Sequence, residues 1–216
     1  VHSHALGNPW LNYSVYLNSV FLPGILQLLI FLITVFSIGT EIKEGTSREW
    51  LRLSGDSYTV AMMGKILPQT VLWSICGLLF YSLMYNYCHF PLNCSPWVML
   101  SAMLLLIIAS QSMGIFFISM LPTLRMGLSF ASLLGCLSFS ICGFSFPVEA
   151  MPEPLHALAY IFPMRHYFLI CIREALNGFP LHYAWHSFVI LMCYPLLPIL
   201  TSVNLKYALK NFKYVP

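Results

Sequence analysis

Charge is what this sequence lacks. Only 8% of its 216 residues are Asp, Glu, Lys or Arg, where soluble proteins have about a quarter. No charged side chain precedes Glu41, and none lies between Lys65 and Arg125. A chain that is 59% hydrophobic, with a mean hydropathy of +0.79, must bury its long apolar runs in lipid, which excludes a soluble globular domain. The net charge of +3 is small and scattered, and no basic stripe carries interleaved aromatics, which argues against a nucleic-acid partner.

Several chemical signatures are absent too. Gly64-Lys65 is followed by Ile66, and no GxxxxGKS or GxxxxGKT loop occurs, so the chain does not bind ATP by that mode. Neither GxSxG nor HExxH is present. His182 and His186 lie an (i, i+4) step apart and could ligate a metal, which would make the chain an integral-membrane metalloenzyme. The same pair sits at an aromatic span entrance, where His serves as an interfacial residue. His156 and His166 read as surface or capping residues. The seven cysteines form no CxxC pair. Cys76, Cys136, Cys142 and Cys193 fall in apolar runs and read as small core residues. Cys88 and Cys94 flank a short loop and could pair if it faces an oxidising compartment. The chain opens Val1-His2-Ser3-His4, without an initiator Met and without the basic segment of a signal peptide, so the expectation is a cut domain preceded by a further span.

What charge there is forms an island. Nearly half of the charged residues lie between Glu41 and Lys65. Gly45 suits the left-handed position that ends a helix, and Thr46-Ser47-Arg48-Glu49 fits a capping box that starts another. In that second helix Thr46, Trp50 and Leu53 share one face, while Arg48 and Arg52 share a different one. The pattern predicts a short amphipathic helix at the end of a membrane span. The plainer alternative is a solvated helix that only connects two spans.

Five spans are predicted: about Phe21 to Gly39, Ile66 to Tyr85, Trp97 to Met120, Met126 to Phe146 and Tyr183 to Tyr207. Asn8, Pro9, Trp10 and Tyr13 before the first suit the headgroup layer. Pro23-Gly24 opens the first span, Pro68 belongs in the first turn of the second, and Pro195 and Pro198 kink the last. Ser110-Gln111-Ser112 should face a protein interior. Gly127, Ala131 and Gly135 recur every fourth residue, as do Ser132, Cys136 and Ser140, a spacing that suits either packing within the chain or a subunit contact. Between Pro147 and Gly178 the segments near 152–162 and 164–177 reach only about 17–20 Å, too short to span, and read as a pair of re-entrant or interfacial helices. Glu149, Glu153, Arg165, Arg173 and Glu174 cluster there, either as mutual ion pairs or as an outer gate. Lys43, Arg48, Arg52, Lys65, Arg125, Lys206, Lys210 and Lys213 fall on one side of this topology and only Arg165 and Arg173 on the other, so the first side, with the C-terminus, is expected to be cytoplasmic.

Two blocks resemble a known family. Glu41-Ile42-Lys43-Glu44-Gly45-Thr46, with Leu51 downstream, is similar to the E-R-E-x-G-T-x-x-x-L stretch of the permeases of type-2 ATP-binding-cassette (ABC-2) exporters; Ile42 stands where the family commonly has Arg. Phe146-Pro147-Val148-Glu149-Ala150-Met151-Pro152, followed by Pro163, His166, Arg173 and Gly178, looks like the family's F-P-x-x-x-M-P block before its last span. The resemblance implies an all-α integral membrane protein, a polytopic helical bundle with a cytoplasmic coupling helix and external re-entrant helices. Residues 1–216 would be the C-terminal transmembrane domain of an exporter permease in the cell (inner) membrane, lacking the first span and external segment. Its partners would be a cytoplasmic ATP-binding subunit, a second permease half in a homo- or heterodimer, and the lipid bilayer. The chain itself would need no cofactor; ATP and Mg would sit in the partner subunit. Glu41, Glu44, Gly45, Thr46, Arg48, Glu49 and Arg52 would couple to the ATPase. Pro147, Glu149, Pro152, Arg165 and Arg173 would form the external gate, and Gly127, Ala131 and Gly135 the span packing. A non-transporting membrane scaffold is the remaining alternative.

Overall fold

A buried helix, α4 (Pro96–Met120), organises the bundle. It is apolar all round, as a helix surrounded by other helices must be. It touches α1 (Tyr13–Glu44), α3 (Tyr58–Ser82), α5 (Leu124–Ile141), α7 (Pro163–Ile170), α8 (Trp185–Cys193), α9 (Leu196–Leu200) and α10 (Ser202–Asn211). The remaining helices are α2 (Ser47–Leu53) and α6 (Glu153–Ile161). The computed structural model describes residues 12–144 and 147–211. Trp10, Phe146 and Lys213 lie outside the described residues, as does the Glu149 side chain.

Among the described residues, five helices are long and apolar enough to cross a membrane: Ser14–Glu44, Tyr58–Tyr87, Pro96–Met120, Leu124–Ile141 and Trp185–Lys210. The order is the expected one, but the bounds differ. α1 begins at Tyr13, where the Asn12 side chain accepts from the Ser14 N–H at 3.0 Å, so Pro23 lies within the helix instead of opening it. α3 begins at Tyr58, which moves Pro68 from a first turn into the helix interior. α5 stops at Ile141, and the chain turns at Gly143 with φ +97°. The last span is broken into α8, α9 and α10 by Pro195 and by a turn at Thr201.

The core is built by helices facing α4. Phe117 on α4 meets Phe31 of α1 and Phe130 of α5 edge to face, with ring centroids 5.3 and 5.6 Å apart, a favoured aromatic geometry. Gly127, Ala131 and Gly135 are buried, and the two glycines lie against Val35 and Leu28 of α1, so this stripe packs within the chain. Ser110, Gln111 and Ser112 face the interior as expected. Gln27 Nε2 donates to Ser138 Oγ at 2.8 Å and joins α1 to α5 where lipid offers no partner. Cys142 is buried, but Cys136 and Cys193 are exposed: their helix faces turn outward, so they are not the core residues expected.

α1, with 32 residues, is roughly 48 Å long at 1.5 Å per residue and fixes two ends of the molecule. α2 follows its C-terminus. Near its N-terminus Tyr16 donates to the Phe144 carbonyl at 3.0 Å and packs beside Phe168 of α7. At that far end α6 and the continued α7 (Pro163–Leu176) meet at a bend of 79°.

Candidate functional site at the charged end

The break between α1 and α2 is built by one glycine. Gly45 has φ +76° and ψ 8°, the left-handed conformation that an L side chain adopts only with strain. The expected capping box does not form. Thr46 is helical in backbone and caps nothing; its hydroxyl turns back to the Glu41 carboxylate. That carboxylate also receives Lys65 Nζ at 2.6 Å, and Lys65 donates a second bond to the Ser37 carbonyl at 2.7 Å. The Lys65 ammonium lies 4.5 Å from the centre of the Trp50 ring, a cation–π contact. Glu41, Thr46, Trp50 and Lys65 thus form one half-buried knot between α1, α2 and α3.

The buried face of α2 is Ser47 and Leu51, not the Thr46, Trp50 and Leu53 face that its sequence suggests; Leu53 is 84% exposed. The reason is α10. Ser47 donates its hydroxyl to the Leu209 carbonyl at 2.8 Å, and Arg48 Nε donates to the Lys210 carbonyl at 2.8 Å. The last carbonyls of a helix have no partner within it, so α2 supplies donors to the end of α10. Glu44, Glu49 and Arg52 remain exposed, and none of the three bonds another described side chain. Lys43 and Arg48 are exposed as well.

Of the residues expected to cluster at the far end, four have described side chains: Glu153, Arg165, Arg173 and Glu174. Arg165 is buried, donates to the Cys142 carbonyl at 2.9 Å and lies over the Tyr160 ring at 5.4 Å. Arg173 donates to the Tyr183 carbonyl at 2.7 Å. Glu153 is exposed and Glu174 buried, and among the described residues neither pairs with an arginine. The Cys142 carbonyl at the end of α5 and the Tyr183 carbonyl at the end of a 3-10 turn accept from these two arginines. Pro147 and Pro152 flank the 3-10 turn Val148–Ala150 and are exposed. His166 is a cap, within hydrogen-bond distance (3.0 Å) of the Tyr160 carbonyl, but it is buried and not a surface residue.

His182 belongs to a separate 3-10 turn (Leu181–Tyr183) and His186 to α8, so the two are not on one continuous helix. Both are exposed, and among the described residues no third ligand joins them. All seven cysteines, each within the described residues, are free thiols. Burial pushes the Cys94 thiol up to about 11, and the Glu174 carboxylate adds to the shift.

Sequence reasoning missed Lys65 as the partner of Glu41 and Ser47 as the anchor on α10. A signal existed for the first: Lys65 is an isolated cation at the start of an apolar run. None existed for the second, because Ser47 and Leu209 are 162 residues apart.

Apolar membrane-crossing helices around α4, interrupted by a short charged helix at one end and a bent helix pair at the other, define a multi-pass membrane protein. A family model described as ABC-2 family transporter protein matches residues 1–203, and the chain belongs to that family. It is accordingly a membrane permease component of a transporter and not an enzyme. No curated protein matches the chain.

Proposed function

We propose that this chain is the membrane half of an ATP-driven exporter, with hydrolysis carried out by a separate cytoplasmic ATPase. The observation that carries this is α2, whose one face is fastened to α1, α3 and α10 while Glu44, Glu49 and Arg52 stay exposed. A helix held by three membrane elements can pass a push from a soluble partner into all of them. Lys43, Arg48, Arg52, Lys65, Arg125, Lys206 and Lys210 gather at this end, which supports a cytoplasmic placement by the bias of cytoplasmic loops towards Lys and Arg. ATP and Mg belong to the ATPase. Gly45 and Thr46 set the angle between span and coupling helix.

In this reading substrate leaves between two permease halves, past α6 and α7 at the outer face. The outward side of α5 leaves Cys136 and Ser140 exposed, small residues that let a second half approach closely. The weakly charged spans favour a hydrophobic or amphipathic cargo.

The test is reconstitution with the ATPase in lipid. Glu44→Lys with Arg52→Glu reverses two exposed charges and leaves the Arg48 anchor intact, so it should change ATP hydrolysis and transport together without loss of folded protein. Gly45→Pro, which cannot adopt φ +76°, should uncouple hydrolysis from transport. Unchanged hydrolysis and transport in both variants would remove the coupling role.

A further inference from the structure

A cavity of about 430 Å³ opens between α2 and the end of α10. Arg48, Leu51, Arg52, Asp56 and Lys210 line it, so three cations share it with one carboxylate. Among the described residues, none of these four charged groups belongs to an ion pair. Arg48 commits its Nε to the Lys210 carbonyl, and its two terminal nitrogens bond no described residue. Cations gathered in one hollow raise the local potential and favour an anion.

The place of the cavity says which anion. On α10, Val203, Tyr207 and Lys210 form one exposed stripe at spacings of four and three residues, while Leu205, Ala208 and Leu209 are buried on the opposite side. Val203 and Tyr207 are 74% and 70% exposed, and both belong to the last membrane-crossing run, Trp185–Lys210. Along the helix axis Tyr207 lies roughly 4.5 Å from Lys210, and Val203 roughly 10 Å, at 1.5 Å per residue. The headgroup layer on each side of a bilayer is about 5–8 Å deep. A phosphate between Arg52 and Lys210 therefore sets the glycerol beside Tyr207, whose amphipathic ring suits that depth, and the acyl chains beside Val203. A soluble phosphate or an acidic protein segment would leave the apolar part of this stripe unused.

We propose that this cavity holds the headgroup of an anionic phospholipid, with its phosphate bound by Arg48, Arg52 and Lys210 and its chains running along α10. Asp56 moderates the attraction by placing one negative charge in the wall. The site needs only that this end of the bundle meets a membrane surface, and it does not rest on the coupling role of α2.

The experiment counts lipids on the full protein by native mass spectrometry, without the ATPase, after lipid is stripped in a neutral detergent. Phosphatidylglycerol is compared with phosphatidylcholine of the same chains, and the reading is the ratio of their affinities for the first bound molecule. The wild type should prefer phosphatidylglycerol. Arg52→Gln and Lys210→Gln should each lower that preference on the order of fivefold, the contribution of one basic residue at an anionic surface. Asp56→Asn should raise it by a similar factor. Asn adopts φ +58° as readily as Asp, so the turn is kept. Lys43→Gln removes an exposed cation of the same end that does not line the cavity, and should leave the preference unchanged. Arg48 is kept because its Nε caps α10. A wild type without preference overturns the proposal, and so does a loss in Lys43→Gln equal to that in Arg52→Gln. Displacement of the lipid by glycerol phosphate at equal concentration also overturns it, because the cavity would then serve a free phosphate ester. Should Arg52→Gln or Lys210→Gln not fold, Asp56→Asn carries the test, and a preference that does not rise in it overturns the site.

Discussion

Ser47 donates its hydroxyl to the Leu209 carbonyl at 2.8 Å, across 162 residues of sequence. With Arg48 on the Lys210 carbonyl, this bond makes the first connection between spans also the cap of the last helix. A displacement of α2 therefore reaches the first, second and last membrane helices together.

Removing that hydroxyl should loosen α10 more than the bundle. Ser47→Ala forfeits one buried hydrogen bond, about 1 kcal/mol, and leaves the Leu209 carbonyl without its partner. Limited trypsin digestion should then cut after Lys206 and Lys210 sooner than in the wild type, with the main thermal transition little changed. Equal rates of cutting would mean that the bond does not hold the helix end.

The knot at Glu41 lends itself to a double-mutant cycle. The Lys65–Glu41 pair has side-chain exposures of 22% and 25%, between the exposed pairs that are worth little and the buried ones whose disruption is costly. Lys65→Met should destabilise by about 1–3 kcal/mol. Glu41→Gln combined with Lys65→Met should cost less than the two single changes added together. Thermal melting of the four proteins measures this, and strict additivity would show no coupling.

Two glycines separate backbone strain from crowding. Gly45 (φ +76°) has open space where a Cβ would stand, so Gly45→Ala should cost about 1–2 kcal/mol for conformation alone. At Gly143 (φ +97°) a Cβ would run into the Arg165 guanidinium and push it from the Cys142 carbonyl. Gly143→Ala should therefore lower the melting temperature more than Gly45→Ala, and the reverse order would contradict the packing of Arg165.

Cys88 and Cys94 differ enough to report on the far-end loop. Cys88 is exposed, and Cys94 is half-buried with its thiol pushed up to about 11. The thiolate is the reactive form. At neutral pH an impermeant maleimide added to intact cells should label Cys88 first. Cys94 labelling should be slow and rise about tenfold per pH unit towards pH 11, because each unit increases the thiolate fraction by that factor. Labelling of Cys88 only after the membrane is opened would reverse the proposed orientation.

The large features were legible because they depend on local chemistry. The five apolar runs, the stop at Gly45 and the break at Pro163 each follow from residues that act on their own neighbours. The errors have a common origin in distant partners. The buried face of α2 was assigned from its own periodicity, whereas α10 selects Ser47 and Leu51. The capping box at Thr46 had the right residues, but Glu41, bound by Lys65, takes the hydroxyl. Nothing local marks the Cys142 and Tyr183 carbonyls, at the ends of α5 and of a 3-10 turn, as acceptors from Arg165 and Arg173.

The most direct measurement is cross-linking from α2 to the ATPase. A cysteine placed at exposed Glu49, in a background without the native cysteines, is treated with a short thiol cross-linker in the full complex, with and without nucleotide. If α2 is the coupling helix, position 49 joins the ATPase and the yield changes with nucleotide, while a cysteine at Phe90 in the opposite-end loop does not. Cross-linking from position 90 but not from 49 would contradict the assignment of α2.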